Sequence, residues 1–205
     1  MSFLECFKLP CSLLQTKEGI ARVCLSGFKE NIKRQDVVYA EIRFAPQLHM
    51  DKGLTMREVI ESALDGLKKS DLKCNLILCC MRMADNREQN LETVKLAKEY
   101  LINEESNKDY GVVALDLAGA EALYKTEQFI DVFKLANELN VPFTIHAGEA
   151  DGAESVKKAV EFGAKRIGHG VRSVENLALM KALSEKKYVW KCVLQVICRQ
   201  KQLKD

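Results

Sequence analysis

The 205-residue sequence lacks the short motifs that mark common nucleotide-phosphate and dithiol sites. Neither Gly-x-Gly-x-x-Gly nor Gly-x-x-x-x-Gly-Lys-Ser/Thr follows any predicted strand, which excludes phosphate-binding loops of those two types. The eight cysteines include no Cys-x-x-Cys pair, and Cys79 and Cys80 are adjacent inside the apolar run from Leu76 to Met81. We therefore predict reduced cysteines in the core rather than a disulfide framework.

Long apolar segments and an excess of one charge are also missing. No apolar run approaches the roughly 20 residues that span a membrane, and the N-terminal apolar stretch contains Glu5 and no small-residue cleavage pattern. Basic residues number 31 and acidic residues 29, and both are spread throughout the chain. These features predict a cytoplasmic protein with a small-molecule partner, one that binds neither nucleic acid nor membrane.

What the sequence does contain is a regular alternation of strand and helix patterns. Apolar, β-branched runs predict strands near residues 37–45, 74–81, 112–117, 142–146 and 165–169. Thr55 and Glu58 have the spacing of a capping box at the start of one intervening helix. The alternation predicts an α/β fold with a parallel sheet, either doubly wound or part of a (β/α)8 barrel. Polar residues at the ends of several successive strands favour the barrel.

Two histidines and a carboxylate occupy such strand ends. The run from Val141 ends in His146, Ala147, Gly148 and Glu149, and the run from Ala164 ends in His169 between two glycines. Because parallel strands end at a common edge, His146, Glu149 and His169 are expected to converge at one mouth. The position suits His146 as a metal ligand and Glu149 as an acid–base group.

Structural roles compete with these functional ones. Glu149 could cap the helix that begins near Glu154, because acidic residues are favourable at a helix N-terminus. Asp116 and Gly119 could be ordinary strand-end and turn residues. His49, in a polar loop, is interpreted as structural. Glu41 and Arg43 share one face of the first predicted strand and are expected to pair inside a barrel.

Four motifs together resemble the adenosine deaminase family, in the family's order and spacing over about residues 3–189. They are Tyr39-Ala40-Glu41-Ile42-Arg43-Phe44-Ala45-Pro46, Asp116-Leu117-Ala118-Gly119, His146-Ala147-Gly148-Glu149 and Arg166-Ile167-Gly168-His169-Gly170. The resemblance implies a zinc-containing (β/α)8 barrel that converts adenosine and 2′-deoxyadenosine to the corresponding inosines and ammonia, a reaction of purine salvage.

The same resemblance implies roles for single residues. His146 corresponds to a zinc ligand, and Glu149 to the acid that protonates the purine ring at N1. His169 corresponds to the histidine that orients the attacking hydroxide. Gly119 corresponds to the residue whose backbone N–H contacts N3 of the purine.

Two further family motifs have no counterpart in the sequence. The family's first strand carries His-x-His and its last strand Asp-Asp, and neither pattern occurs here. By the resemblance the chain holds about strands two to six of eight, with one of the zinc ligands. Because a catalytic zinc site uses three protein ligands, we predict little zinc affinity and no turnover for the chain by itself. The alternatives are a non-catalytic purine-binding fragment and a related adenine or N6-methyl-adenosine deaminase.

The last residues depart from the family pattern. Where the family's seventh strand reads close to Leu-Glu-Met-Cys-Pro-Thr-Ser-Asn, this chain continues from Val189 to Cys198 with a different sequence. Trp190 is encoded only by TGG, and its third base followed by the AA of Lys191 forms a glutamate codon. The next codons permit Met-Cys-Pro-Thr-Ser-Asn in that frame. We therefore predict a partial barrel over residues 1–188 and a tail over 189–205 that a one-nucleotide frameshift produced.

Overall fold

The computed structural model describes residues 3–29, 37–70, 72–102, 109–185 and 189–191. Within these ranges the strands are β1 Tyr39–Phe44, β2 Lys73–Arg82, β3 Val112–Gly119, β4 Thr144–Ala147, β5 Arg166–His169 and β6 Val189–Lys191. The α-helices are α1 Lys8–Leu13, α2 Lys17–Lys29, α3 Met56–Lys68, α4 Arg87–Glu99, α5 Ile130–Glu138, α6 Ala153–Phe162 and α7 Leu177–Glu185. Short 3-10 helices cover Phe3–Phe7, Pro46–His49, Thr126–Phe129 and Val171–Glu175.

All strand pairs are parallel and follow the order of the chain. One sheet has the order β1-β2-β3 and the other β4-β5-β6. A parallel bridge between Leu115 and Phe143 joins them, with the Leu115 N–H donating to the Pro142 carbonyl at 2.8 Å. A doubly wound sheet would reverse its strand order at a switch point, whereas this sequential order is that of a barrel. The predicted partial (β/α)8 barrel is therefore confirmed.

The core lies between the sheet and its helices. Leu76, Leu78 and Cys80 of β2 are completely buried, as are Met56 and Ile60 of α3, because a parallel strand covered on both faces is apolar along its length. All six cysteines in the described ranges have free thiols. No helix in the described part of the chain combines the length and apolar character needed to cross a bilayer.

The predicted capping box at the start of α3 is confirmed. The Glu58 N–H donates to the Thr55 hydroxyl at 3.2 Å, and the Thr55 N–H donates to the Glu58 carboxylate at 3.0 Å. The ammonium of Lys17 lies 2.8 Å from the same carboxylate. Hydrogen bonding to Lys17 and then to Thr55 lowers the pKa of Glu58 from its ordinary 4.5 to about 2.

The expected pairing of Glu41 with Arg43 is wrong. Arg43 Nη1 lies 3.1 Å from Asp116 Oδ2 on β3, and Glu41 Oε2 lies 2.6 Å from Arg166 Nη1 on β5. Residues two apart on a strand are separated by about 6.6 Å along its axis. Inside a curved sheet, side chains from other strands come closer than this distance. Asp116 of β3 is therefore the partner of Arg43, and Arg166 of β5 is the partner of Glu41.

Candidate active site

The carboxyl ends of the strands meet at one edge of the barrel, where a cavity of about 740 Å³ opens. Register places Arg82 beside Gly119 and Ala147 beside His169, so the residues that follow these strands share this edge. The cavity lining includes Gly119 and His146, whereas Glu149 and His169 are not among the described residues that line it. These residues lie close together because the parallel strands end at the same edge, and no local sequence motif is needed to explain it.

His146 is fixed by a buried carboxylate on the neighbouring strand. Its Nδ1 lies 3.0 Å from Asp116 Oδ1 and 2.9 Å from Oδ2. An ionised carboxylate can only accept hydrogen bonds, so Nδ1 carries the proton and the lone pair is on Nε2. This arrangement, in which a carboxylate orients an imidazole, recurs behind histidines that ligate metals.

Asp116 is completely buried, and three donors stabilise its ionised form. Besides His146, it accepts a hydrogen bond from the Leu117 N–H at 2.8 Å and pairs with the guanidinium of Arg43. Burial alone would favour the neutral acid, but His146, Arg43 and the Leu117 N–H together hold the pKa of Asp116 below its ordinary value. Asp116, on β3, is therefore the anionic partner of His146 rather than an ordinary strand-end residue.

His169 and Glu149 lie beside His146. The two imidazole ring centroids are 5.2 Å apart, and His169 Nε2 lies 3.3 Å from Glu149 Oε2. Burial lowers the pKa of His169, an effect that Glu149 opposes and His146 reinforces. His169 also has φ +62, a left-handed conformation that costs a non-glycine residue on the order of 1 kcal/mol and is concentrated at functional sites.

Glu149 does not cap the helix that follows it. The N-cap of α6 is Gly152. The backbone N–H of Glu149 instead donates to a carboxylate oxygen of Glu121 at 2.9 Å, and its side chain is directed at His169. The geometry thus favours the acid–base position over the capping alternative.

Two glycines allow close approach at this edge. Gly119 has φ +106, and a Cβ there would lie 3.1 Å from both the backbone N and O of Arg82. At Gly168 a Cβ would lie 3.2 Å from Cα and Cγ of His146, so the absent side chain makes room for the imidazole. Gly119 therefore presents bare backbone to the cavity, and Gly168 sets the position of His146.

Sequence reasoning missed two buried charged residues at this edge, Arg82 and Glu121, which are 1% and 2% exposed. Arg82 ends β2 and donates to the His146 carbonyl at 2.7 Å and to the Tyr124 carbonyl at 2.8 Å. A polar residue at the end of an apolar strand was the signal for His146 and would also have indicated Arg82. Glu121 follows no such pattern.

His49 has a structural contact but also faces the cavity. Its Nδ1 lies 2.8 Å from the Leu14 carbonyl oxygen, and burial lowers the pKa of the ring. It belongs to the cavity lining together with Phe44 and Leu48. The hydrogen bond to Leu14 agrees with the structural role predicted for His49. Its position on the cavity wall was not predicted from the sequence.

No group of three or more His, Cys, Asp or Glu side chains in the described ranges could hold a metal ion. His146 and its carboxylate partner fit one ligand of a zinc site, and the described residues do not complete the set. The ring of His169 is close, but it is paired with Glu149.

Comparison with known proteins gives a match along nearly the whole chain. The family model described as adenosine deaminase matches residues 1–197. An adenosine deaminase of Haemophilus ducreyi is 50% identical over 190 residues, covering 90% of this chain and 54% of that protein. One from Clostridium botulinum is 39% identical over 189 residues, with the same two coverages of 90% and 54%. The chain thus spans about half the length of the curated relatives it matches.

Solved structures agree in fold. An adenine deaminase from Arthrobacter aurescens superposes with a TM-score of 0.82 at 20% identity, covering 99% of this chain and 61% of that one. An amidohydrolase from Burkhoderia ambifaria with bound Zn gives a TM-score of 0.80 at 19% identity, covering 93% and 52%. At such identities the likeness concerns the fold alone.

Proposed function

This chain belongs to the adenosine deaminase family, and from that premise we propose that it forms part of a zinc-dependent enzyme acting on purine nucleosides. The reaction is hydrolysis of adenosine and 2′-deoxyadenosine to inosine and deoxyinosine with release of ammonia, a step of purine salvage. The observation that carries the proposal is that His169, at a strand end, contacts both the ring of His146 and the carboxylate of Glu149.

His146 is the proposed zinc ligand. Its Nδ1 donates to Asp116, which leaves the Nε2 lone pair available to a metal. A bound zinc ion would lower the pKa of the attacking water. One ligand with its supporting carboxylate is what the described residues contribute, so the chain by itself is expected to retain little zinc.

Glu149 and His169 are the proposed proton-transfer and water-orienting groups. Protonation of the purine at N1 by Glu149 removes electron density from C6 and so assists attack there. His169 is 3.3 Å from Glu149 and holds the attacking oxygen by hydrogen bonding. The backbone N–H of Gly119, on the wall of the same cavity as His146, is proposed to bind N3 of the purine.

A second candidate function is purine binding without chemistry. What favours it for the 205-residue chain is that the described residues supply too few zinc ligands for a catalytic site. A related substrate, adenine or an N6-methylated adenosine, is the other alternative, and the fold shared with an adenine deaminase is compatible with it.

The test compares the 205-residue chain with an extended protein. In the extended protein, residues 1–188 are fused to the segments of the Haemophilus ducreyi enzyme that lie outside the alignment. We expect the extended protein to bind about one zinc per chain and to form inosine from adenosine faster than from adenine or N6-methyladenosine. The 205-residue chain should retain no stoichiometric zinc after dialysis and form no inosine.

The matched variants are Glu149→Gln and Glu154→Gln in the extended protein. Loss of the proton donor should lower kcat by roughly 100-fold or more, whereas the exposed Glu154 should have no effect. An extended protein that folds and binds zinc but makes no inosine would refute the proposal, and so would a Glu149→Gln variant with full activity.

A further inference from the structure

Glu121 is a buried carboxylate surrounded by donors from the loop that carries Glu149. Its Oε1 accepts a hydrogen bond from the Gly148 N–H at 2.7 Å. Its Oε2 accepts from the N–H groups of Glu149, Ala150 and Asp151 at 2.9, 2.7 and 3.2 Å. Four successive backbone donors therefore converge on one side chain, which we call the Glu121 cradle.

A chain of hydrogen bonds through the hydroxyl groups of Ser155 and Thr126 links the Glu121 carboxylate to the guanidinium of Arg82. Ser155 Oγ donates to Glu121 Oε1 at 2.6 Å and lies 2.7 Å from Thr126 Oγ1, which in turn accepts from Arg82 Nη2 at 2.9 Å. All of these side chains are at most 2% exposed. Every buried side-chain nitrogen or oxygen of these four residues has a hydrogen-bond partner except Arg82 Nε. A buried network paired to this extent is rigid, because rearrangement leaves further polar groups unpaired.

The same network reaches both sides of the site. Arg82 Nη2 donates to the carbonyl oxygen of His146 at 2.7 Å, and the cradle holds the peptide of Glu149 three residues later. The turn between His146 and Glu149 is thus fixed at its two ends by charged groups, Arg82 at the end of β2 and Glu121 in the loop after β3. No side-chain hydrogen bond caps α6. The cradle connects this loop to the barrel together with the ion pair of Lys125 with Asp151 and the hydrogen bond from the Arg172 N–H to the Gly148 carbonyl.

We infer that Glu121 is a positioning residue: it sets the backbone of residues 148–151 so that the Glu149 carboxyl lies against His169 at the reacting edge. The inference rests on the proposed function, in which Glu149 transfers the proton. Glu121 is only 2% exposed, and both of its carboxylate oxygens accept hydrogen bonds from the loop or from Ser155, so it acts through Glu149 and not on the purine. An error of about 1 Å in the placement of such a group costs on the order of 100-fold in rate.

The central test is Glu121→Gln. A glutamine has one acceptor oxygen, and its NH2 group would face backbone N–H donors that need acceptors. In the extended protein we expect kcat for adenosine to fall on the order of 100-fold with KM changed less than about threefold. The basic limb of the kcat–pH profile should also move, because the proton donor has changed its surroundings. Glu127→Gln, an exposed glutamate nearby, is the control and should change neither kcat nor KM.

A second measurement does not depend on activity. In crystal structures of the 205-residue chain, Glu121→Gln should separate Glu149 Oε2 from His169 Nε2 well beyond the 3.3 Å of the parent. Ser155→Ala removes the hydroxyl hydrogen bonds to Glu121 and Thr126 but leaves the four backbone donors on the carboxylate, so it should fold and give a smaller displacement in the same direction. A Glu149–His169 contact retained in both variants would overturn the inference, whatever the activity of the extended protein.

Activity then separates the two proposals. A displaced Glu149 in the Glu121→Gln crystal together with an inactive parent protein would support the cradle and refute the deaminase proposal. An active parent whose Glu121→Gln variant keeps its kcat would overturn the positioning role alone.

Discussion

Glu41 on β1 and Arg166 on β5 form an ion pair with 2.6 Å between Oε2 and Nη1, although four strand-to-strand steps separate them in the sheet order. In a flat sheet with strands about 4.8 Å apart, these residues would be about 19 Å apart. The pair therefore crosses the interior of a curled sheet. It is direct evidence that the strands close around a barrel axis.

This pair should contribute measurably to stability. Both side chains are partly exposed, so removing one partner with Glu41→Gln is expected to cost about 1–2 kcal/mol, between the values for exposed and buried pairs. Urea unfolding of Glu41→Gln, Arg166→Gln and the double variant gives the coupling energy. The exposed pair of Glu154 and Lys157 is the control, and its loss should change the free energy of unfolding by less than about 0.5 kcal/mol. A coupling energy near zero for Glu41 and Arg166 would contradict this account.

Asp116→Asn should destabilise the protein and loosen His146. The variant keeps the shape but removes a fully buried negative charge from Arg43 and His146, which is expected to cost about 2–4 kcal/mol. In the parent, 15N NMR of the uncharged ring should show the Nδ1–H tautomer of His146. An asparagine can also donate, so the variant should show a mixture of tautomers. An unchanged tautomer and unchanged stability would disprove the assigned role of Asp116.

Gly168→Ala should perturb the same histidine by steric contact. The added Cβ would lie 3.2 Å from His146 Cα and Cγ, so the ring must move, at an expected cost of about 1–3 kcal/mol. Gly152→Ala is the matched control, because its Cβ would meet only the carboxylate end of Glu175, which can move aside. Thermal unfolding and the His146 ring resonances measure the effect. Equal effects of the two alanines would show that packing against His146 is not tight.

The contacts of Glu58 with Lys17 and Thr55 predict a specific pH dependence of stability. The pKa of Glu58 falls from 4.5 to about 2 on folding, chiefly through the hydrogen bond with Lys17, so its stabilising contribution is complete above about pH 4.5. It should be lost as the pH falls from 4.5 through 2. Unfolding free energies of the parent and Glu58→Gln measured across this range should differ at neutral pH and converge near pH 2. A difference that is independent of pH would contradict the assignment.

The nucleotide sequence tests the predicted frameshift. Residues 192–205 lie outside the described part of the chain, so the structure does not bear on them. We expect the codons from Val189, read from the third base of each, to encode Leu-Glu-Met-Cys-Pro-Thr-Ser-Asn. Codons that give any other sequence in that frame would eliminate the idea.

Local sequence patterns were sufficient to predict the strands and the helix start of this protein, because secondary structure depends on short-range periodicity. The five predicted strands are present within three residues of their expected limits, and Thr55 and Glu58 form the predicted capping box. The strand-end rule also placed His146, Glu149 and His169 at one edge, since parallel strands share a direction. The short strand β6 was not predicted, because its residues fall in the divergent tail.

Partners that lie far apart in the chain were decided only by the tertiary structure. Which anion faces Arg43 depends on how strongly the sheet curves, and a strand pattern carries no information about curvature. Asp116 and His146 are 30 residues apart, and only their adjacent strands bring the carboxylate to Nδ1. Glu121 lies in a loop without periodicity, so nothing in its neighbourhood indicated burial. The fold makes it a structural anion because the four N–H groups of a distant turn converge on it, and donors that leave water must find an acceptor.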